Sequence, residues 1–223
     1  MAGGPGRSAE DQADPAAPVI RVVDDDPRFL RALSRLLRTA GFQVATFNSA
    51  DEFLSHRRHN PDSPGCVVLD LQMPGLDGLE LQERIASERE PLPVIFLTGN
   101  ADVPSSVRAM KGNAVDFLTK PVSLDDLVGA VKCALARDAE GRQERRQVRE
   151  LQSRYDGLTP REREVLALVV RGLLNKQIAS ELGTCERTIK AHRAQVMAKM
   201  EVQSVADLVR AAERLAAKKP GAG

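Results

Sequence analysis

Between residues 19 and 135 the chain alternates short apolar runs with longer amphipathic stretches, and the apolar runs lead abruptly into polar residues. Val19 to Val23 runs into Asp24-Asp25-Asp26, Cys66 to Leu69 ends at Asp70, and Val94 to Leu97 ends at Thr98. Val44 to Phe47 and Val115 to Leu118 complete the set, the last leading into Lys120-Pro121. Runs this short, bounded this sharply, read as strands of a sheet covered on both faces. The stretches between them have helical spacing. Pro27 to Ala40 carries Phe29, Leu30, Leu33, Leu36 and Leu37 and stops at Gly41, and Asp26 before Pro27 reads as its cap. Ala50 to His56, Leu79 to Ser87, Val103 to Lys111 and Ser123 to Leu135 are the remaining predicted helices. Five strand-helix units predict an α/β fold, a doubly wound five-stranded parallel sheet.

That fold class says where a site belongs. In open parallel sheets ligands bind at the carboxyl ends of the strands. The residues placed there are Asp24, Asp25, Asp70, Thr98 and Lys120. Any one of them alone is an ordinary loop residue or cap. Together they deliver three carboxylates, a hydroxyl and an ammonium to one edge. Crowded carboxylates repel unless a cation neutralises them, and hard oxygen ligands suit Mg2+. Lysine and threonine would balance phosphate oxygens, so the set fits phosphoryl transfer onto a nucleophilic aspartate.

The remainder is different in character. Residues 137–157 are highly charged, with Val148, Leu151 and Tyr155 three and four apart. This pattern fits a linker helix, either solvated or pairing with its copy in a dimer. Thr159-Pro160-Arg161-Glu162 is a capping box, and Val165, Leu166, Leu168 and Val169 form an apolar face ending before Gly172. Asn175 is expected to cap a short helix with Ile178, Ala179 and Leu182 inside. Gly183 makes a turn, and a longer helix runs from about Glu186 to Met200. Two helices joined by a tight turn, the second rich in basic residues, make a helix-turn-helix in an all-α domain. At about 100° per residue, Ile189, Arg193, Val196, Met197 and Met200 fall on one arc, which should pack inside. Arg187, Lys190, Ala191, Ala194, Gln195 and Ala198 lie opposite and would enter a major groove. Lys190 is the leading base-edge contact, then Arg187 and Gln195, with Ala191 and Ala194 against thymine methyls. Lys176, Thr188 and Lys199 are placed for phosphates. Arg193, among apolar neighbours, is expected to pair internally with an acid such as Glu162 or Glu164.

Charge divides the same way: residues 1–137 carry a net −4 and residues 138–223 a net +5, within an overall +1. The basic half is the candidate for nucleic acid. Residues 1–17, rich in Gly, Ala, Pro and acids, lack the apolar core of a signal peptide and read as a disordered tail, as do residues 218–223. No apolar run is long enough to cross a bilayer. Cys66, Cys133 and Cys185 are odd in number and lack metal spacing, which suits a reduced, cytoplasmic protein.

Residues 18–136 resemble the receiver domains of bacterial two-component systems, with their CheY-like fold. The resemblance runs through VVDDD (22–26), VVLDLQMPGLDG (67–78), VIFLTG (94–99) and AVDFLTKP (114–121). It implies Asp70 as phosphoacceptor, with Asp25 and Asp70 as direct Mg2+ ligands. Asp24 would reach the metal through water, and the backbone carbonyl of Gln72 would complete the protein ligands. Lys120 and Thr98 would contact the phosphoryl group, and Phe117 would be the switch aromatic. Asn100-Ala101 and Gly112-Asn113 depart from the His-Gly and Ala-Gly pairs common in relatives.

Residues 158–217 resemble the LuxR-type helix-turn-helix of FixJ/NarL response regulators. The match runs through LTPREREVLALVVRGLLNKQIASEL (158–182) and RTIKAHRAQVMAKM (187–200). Cys185 stands where relatives have a serine cap, leaving Thr184 to take that role. The resemblance implies a transcription regulator, with an activator expected. Its partners would be a sensor histidine kinase, duplex promoter DNA and a second copy of the chain, with RNA polymerase a further candidate. Dimerisation would use residues of about 103–118, and Val205, Leu208 and Val209 would help to pair the DNA-binding domains. Two rival readings are a phosphorylation-independent DNA-binding protein with a receiver that only dimerises, and a Mg2+-dependent phosphohydrolase.

Overall fold

The computed structural model describes residues 17–99 and 103–217, with the side chains of 103–106 and 217 left aside. The expected tails and the Asn100-Ala101 departure therefore lie almost wholly outside the described residues. The chain divides into two compact units between Arg142 and Gln143. Among the described residues no helix is long and apolar enough to cross a membrane.

The first unit contains β1 (Val19–Val23), α1 (Pro27–Thr39), β2 (Gln43–Phe47), α2 (Ala50–His59), β3 (Gly65–Leu69), α3 (Gly78–Ala86), β4 (Val94–Thr98), α4 (Val103–Lys111) and β5 (Asp116–Thr119). The start of α5 (Leu124–Asp156) also belongs to it. The five strands form one parallel sheet in the order β2-β1-β3-β4-β5. Side-chain alternation along each strand divides the core in two. Ile20, Val22, Cys66, Val68, Ile95 and Leu97 meet Leu30, Leu33 and Leu37 of α1 and Leu127, Val131 and Ala134 of α5. Val23, Val67, Leu69, Val94 and Phe96 meet Phe53 of α2 and Leu81 and Ile85 of α3. Burial on both faces explains why these strands read as continuous apolar runs.

Local signals start the helices where the sequence places them. Asp26 caps α1 by accepting the Arg28 N–H at 2.8 Å, with Pro27 in the first turn. Asp77 and Glu80 form a capping box on α3. The predicted fifth helix and the predicted linker helix are one continuous element of 33 residues, because neither Gly141 nor Gly129 is followed by a proline or a cap.

At the amino end of β3 a buried polar clasp ties the loop before the strand to α5. Asp138 Oδ2 accepts the Gly65 N–H and Arg142 Nε, each at 2.8 Å. Arg142 also donates to the carbonyls of Asp62 at 2.7 Å and Ser63 at 2.9 Å. From β1, Arg21 donates to Ser63 Oγ at 2.6 Å and to the Pro64 carbonyl at 3.2 Å. Burial, reinforced by the charges of Arg57 and Arg142, lowers the Arg21 pKa to about 10, which still leaves it charged at neutral pH.

The second unit contains the end of α5 and helices α6 (Pro160–Val170), α7 (Asn175–Glu181), α8 (Glu186–Lys199) and α9 (Val205–Ala217). Its core joins Val165, Leu166, Leu168 and Val169 to Ile178, Ile189, Val196, Met200 and Leu208. Leu151 and Tyr155 pack against this core. Two of the three apolar residues that the sequence offered either to solvent or to a dimer seam are thereby engaged within the unit itself. Thr159 and Glu162 form the expected capping box around Pro160. Gly183 takes φ +63° in the turn between α7 and α8, a conformation that favours glycine.

Three pairings differ from expectation. Arg193 donates to Asn175 Oδ1 at 2.7 Å, and neither Glu162 nor Glu164 receives it. Glu162 is buried and held by Lys199 at 2.7 Å, while Glu164 is taken by Arg161 at 2.8 Å. Asn175, committed to Arg193, opens α7 without capping it, and Leu174 occupies the cap position. Cys185 is the cap residue of α8 in place of Thr184, and its sulfur meets Thr188 Oγ1 at 3.2 Å.

Replacing Asp138 with alanine orphans the Gly65 N–H and leaves Arg142 without its carboxylate. The receiver unit should lose about 2–4 kcal/mol, read as a lower urea midpoint by circular dichroism, and Asp138→Asn should lose less. The Lys199 and Thr159 hydrogen bonds hold Glu162 below its ordinary carboxylate value of 4.5. Its ionised form is thus favoured by folding, and that stability is present at neutral pH and lost as pH falls through the depressed value. Glu162→Gln should therefore melt lower than the parent at pH 7, with the gap closing as the pH is taken down through that range.

Candidate functional site

The carboxyl edge of the sheet is assembled by backbone bonds that continue the strand ladder past the strand ends. The Asp24 N–H reaches the Phe47 carbonyl at 3.2 Å and the Asp70 N–H reaches the Val23 carbonyl at 2.9 Å. The Lys120 N–H reaches the Thr98 carbonyl at 2.8 Å. These bonds fix Asp24, Asp70, Thr98 and Lys120 side by side. A glycine is needed beneath them, because a side chain at Gly78 would lie 2.3 Å from the Asp70 carbonyl oxygen.

Asp24, Asp25 and Asp70 bring one carboxylate oxygen each to within 4.8 Å of one another. Asp24 and Asp70 are buried, whereas Asp25 is exposed. Lys120 Nζ lies 2.6 Å from Asp24 Oδ2 and 3.5 Å from Asp70 Oδ1. Asp24 Oδ1 accepts the Asp26 N–H at 2.9 Å, so both Asp24 oxygens are engaged. Asp70 Oδ1 is buried without a hydrogen bond. Burial holds the Asp70 pKa above the ordinary carboxylate value; Lys120 opposes this, and the charge of Asp24 adds to it.

A hard divalent cation fits this donor set. Asp70 Oδ1 lacks a hydrogen bond and Asp25 is exposed, and a cation among the three acids would relieve their repulsion. Thr98 is buried at the end of β4. Gln72 lies exposed two residues past Asp70. Phe117, half-buried on β5, packs against Phe96 with ring centroids 5.9 Å apart. Sequence reasoning placed Phe29 only on an apolar helix face, yet its ring lies 4.0 Å from Lys120 Nζ. The available signal was its position one turn beyond the aspartate triplet.

In the second unit, Ile189 and Val196 of α8 and Met200 just after it are buried, with Arg193 and Met197 partly so. Arg187, Lys190, Ala191, Ala194 and Gln195 are exposed on the other side of α8, and Lys176 is exposed on α7. Among the described residues no acid makes an ion pair with Lys176, Arg187 or Lys190. Thr188 is half-buried beside Cys185. Lys199 already has partners, Glu162 at 2.7 Å and the Gly157 carbonyl at 3.5 Å.

Comparison with known proteins agrees with both halves. The family described as "Response regulator receiver domain" matches residues 20–132, and "Bacterial regulatory proteins, luxR family" matches residues 156–212. Nodulation protein W of Bradyrhizobium diazoefficiens is 46% identical over 88% of this chain and 86% of its own. Response regulator protein TodT of Pseudomonas putida is 44% identical over 89% of this chain and 87% of its own. The solved structure of response regulator StyR superimposes with a TM-score of 0.76 at 46% identity, covering 89% of this chain and all of that one. The chain therefore belongs to the two-component response regulators of the FixJ/NarL type, a receiver domain followed by a LuxR-type DNA-binding domain.

Proposed function

We propose that this response regulator is switched by phosphorylation of Asp70 and, once switched, binds promoter DNA as a dimer to activate transcription. The observation that carries the reading is the convergence of Asp24, Asp25 and Asp70 beside Lys120, with Asp70 Oδ1 buried and free of hydrogen bonds. Such an edge needs positive charge, and Asp25, Asp70 and the Gln72 carbonyl would hold Mg2+, with Asp24 acting through water. When bound, Mg2+ would neutralise charge on the carboxylates and on phosphate oxygens. Asp70 supplies the nucleophilic oxygen, raised in basicity by its burial. Lys120 presents its ammonium to the phosphoryl oxygens, and Thr98 donates its hydroxyl, with Phe117 moving alongside. The phosphoryl donor is a sensor histidine kinase in the cytoplasm. The modified receiver favours a dimer-competent state, a population shift that residues of about 103–118 transmit to a second copy.

The domain boundaries that go with this reading are 18–136 for the receiver, 137–157 for the linker and 158–217 for the DNA-binding domain. On DNA, α8 enters the major groove with Lys190, Arg187 and Gln195 toward base edges and Ala191 and Ala194 toward thymine methyls. Lys176 and Thr188 face phosphates, and Lys199 joins them by leaving Glu162. Turnover of external phosphoesters is not part of the reading, since Gln72 stands where a phosphatase would need a second aspartate as general acid. RNA polymerase is the natural recipient of the activating signal.

Incubation with acetyl phosphate and Mg2+ should retard the chain on a phosphate-affinity gel, and Asp70→Asn should not be retarded. At fixed salt, promoter-fragment affinity should rise with the fraction phosphorylated; equal affinity in both proteins would make the receiver a dimerisation scaffold. Lys190→Ala should weaken specific binding by roughly 5-fold to 100-fold and relax discrimination at one base position. Lys176→Ala should weaken binding to all sequences alike and reduce the salt slope by about 1, as measured by fluorescence anisotropy across a salt series.

A further inference from the structure

Phe29 lies in the first turn of α1, whose start is fixed by the Asp26 cap and by Pro27. Its half-buried ring packs at the margin of the core between the sheet, α1 and α5. Lys120 Nζ stands 4.0 Å from the centroid of that ring, while also 2.6 Å from Asp24 and 3.5 Å from Asp70. We propose that Phe29 is a positioning residue for phosphotransfer, its ring face holding the Lys120 ammonium within reach of Asp70. The inference rests on the receiver reading of the preceding section and adds to it a residue outside the acidic and polar set.

A lysine head on a flexible four-carbon stem has many places to go, and water solvates it strongly. The negative face of an aromatic ring attracts an ammonium within about 6 Å of its centroid and cannot be replaced by an aliphatic side chain of similar size. Here the ring and Asp24 come from one short segment, residues 24–29, so the ammonium has two references on the same stretch of chain. In the transfer itself, an Asp70 carboxylate oxygen forms the new O–P bond. The donor's bond to phosphorus breaks, and its electron pair leaves with the leaving group. Negative charge on the phosphoryl oxygens persists through the step, and an ammonium already held 3.5 Å from Asp70 Oδ1 needs little reorganisation to meet them.

The test uses the full chain labelled with 13C at the lysine ε-methylenes, with the Lys120 resonance assigned by Lys120→Arg. The ring should displace the Lys120 ε-protons upfield. That displacement should vanish in Phe29→Leu and persist in Phe29→Tyr. In parallel, the initial rate of labelling by phosphoramidate at saturating Mg2+ should fall about threefold to tenfold in Phe29→Leu and recover in Phe29→Tyr. Circular dichroism checks that each variant is folded, and Phe29→Met replaces the leucine variant if that one is not. A Lys120 resonance at the ordinary lysine position in the parent protein overturns the inference, as does a folded ringless variant labelled within twofold of the parent rate. A parent protein that takes no label at all overturns the receiver reading, and the inference with it. The two failures are distinguishable because the parent protein takes the label in the first and takes none in the second.

Discussion

Three carboxylates held within 4.8 Å of one another repel, and the receiver is built around holding them there. Nothing in the acids themselves favours the arrangement. It is imposed by a parallel sheet whose ladder bonds run past the strand ends, so that Asp24 follows β1, Asp70 follows β3 and Lys120 follows β5 in register. The sheet can impose it because both faces are covered by closely packed apolar side chains, which resist the small shifts that would let the acids part. Lys120 offsets part of the repulsion, yet it satisfies Asp24 far better than Asp70. The residual imbalance falls on Asp70, whose pKa is raised and whose Oδ1 is left without a hydrogen bond. A carboxylate left short of favourable interactions among other acids is where added positive charge or a covalent change has the largest effect.

The DNA-binding unit shows the complementary arrangement. Three of its cations have partners within the unit: Lys199 has Glu162, Arg161 has Glu164 and Arg193 has Asn175. Lys176, Arg187 and Lys190 remain exposed without an acidic partner among the described residues. An ion pair already made within the protein must be broken before its cation can neutralise a phosphate, a cost that an unpaired cation does not carry. That separation follows from helical geometry, since one arc of α8 supplies Ile189 and Val196 to the core and the other is left to solvent.

The fold and the acidic edge were legible because they depend on order along the chain. Apolar runs ending in Asp24, Asp70 and Thr98 need only the rule that parallel strands point one way to place those residues together. The capping box at Thr159 was legible for the same reason, being a matter of spacing. Arg193 was not. Its choice between Glu162, Glu164 and Asn175 depends on where three side chains converge in space, and the capping bond to Thr159 together with Lys199 had already committed Glu162. The linker's two readings could not be separated for a similar reason. Leu151 and Tyr155 have the spacing of a dimer seam, but the same spacing serves the core of their own unit. Phe29 reads as one more apolar helix residue, because nothing in a helical period reveals that a lysine 91 positions away will rest on its ring.

The two ends of the receiver sheet carry opposite burdens. At the carboxyl end acids crowd, and Asp70 Oδ1 has Lys120 at 3.5 Å but no hydrogen bond. At the amino end, Arg21, Arg57 and Arg142 are gathered around one loop, where they donate to the carbonyls of Asn60, Asp62, Ser63 and Pro64, and Asp138 and Glu88 provide the counter-charge. Guanidinium groups suit this role, since a planar fork of donors can satisfy several carbonyls at once without losing its charge. The loop before β3 is thereby held, and β3 in turn carries Asp70 at its far end. A strand anchored firmly at one end can tolerate an unfavourable charge at the other, because displacing Asp70 would mean disturbing bonds made some five residues upstream.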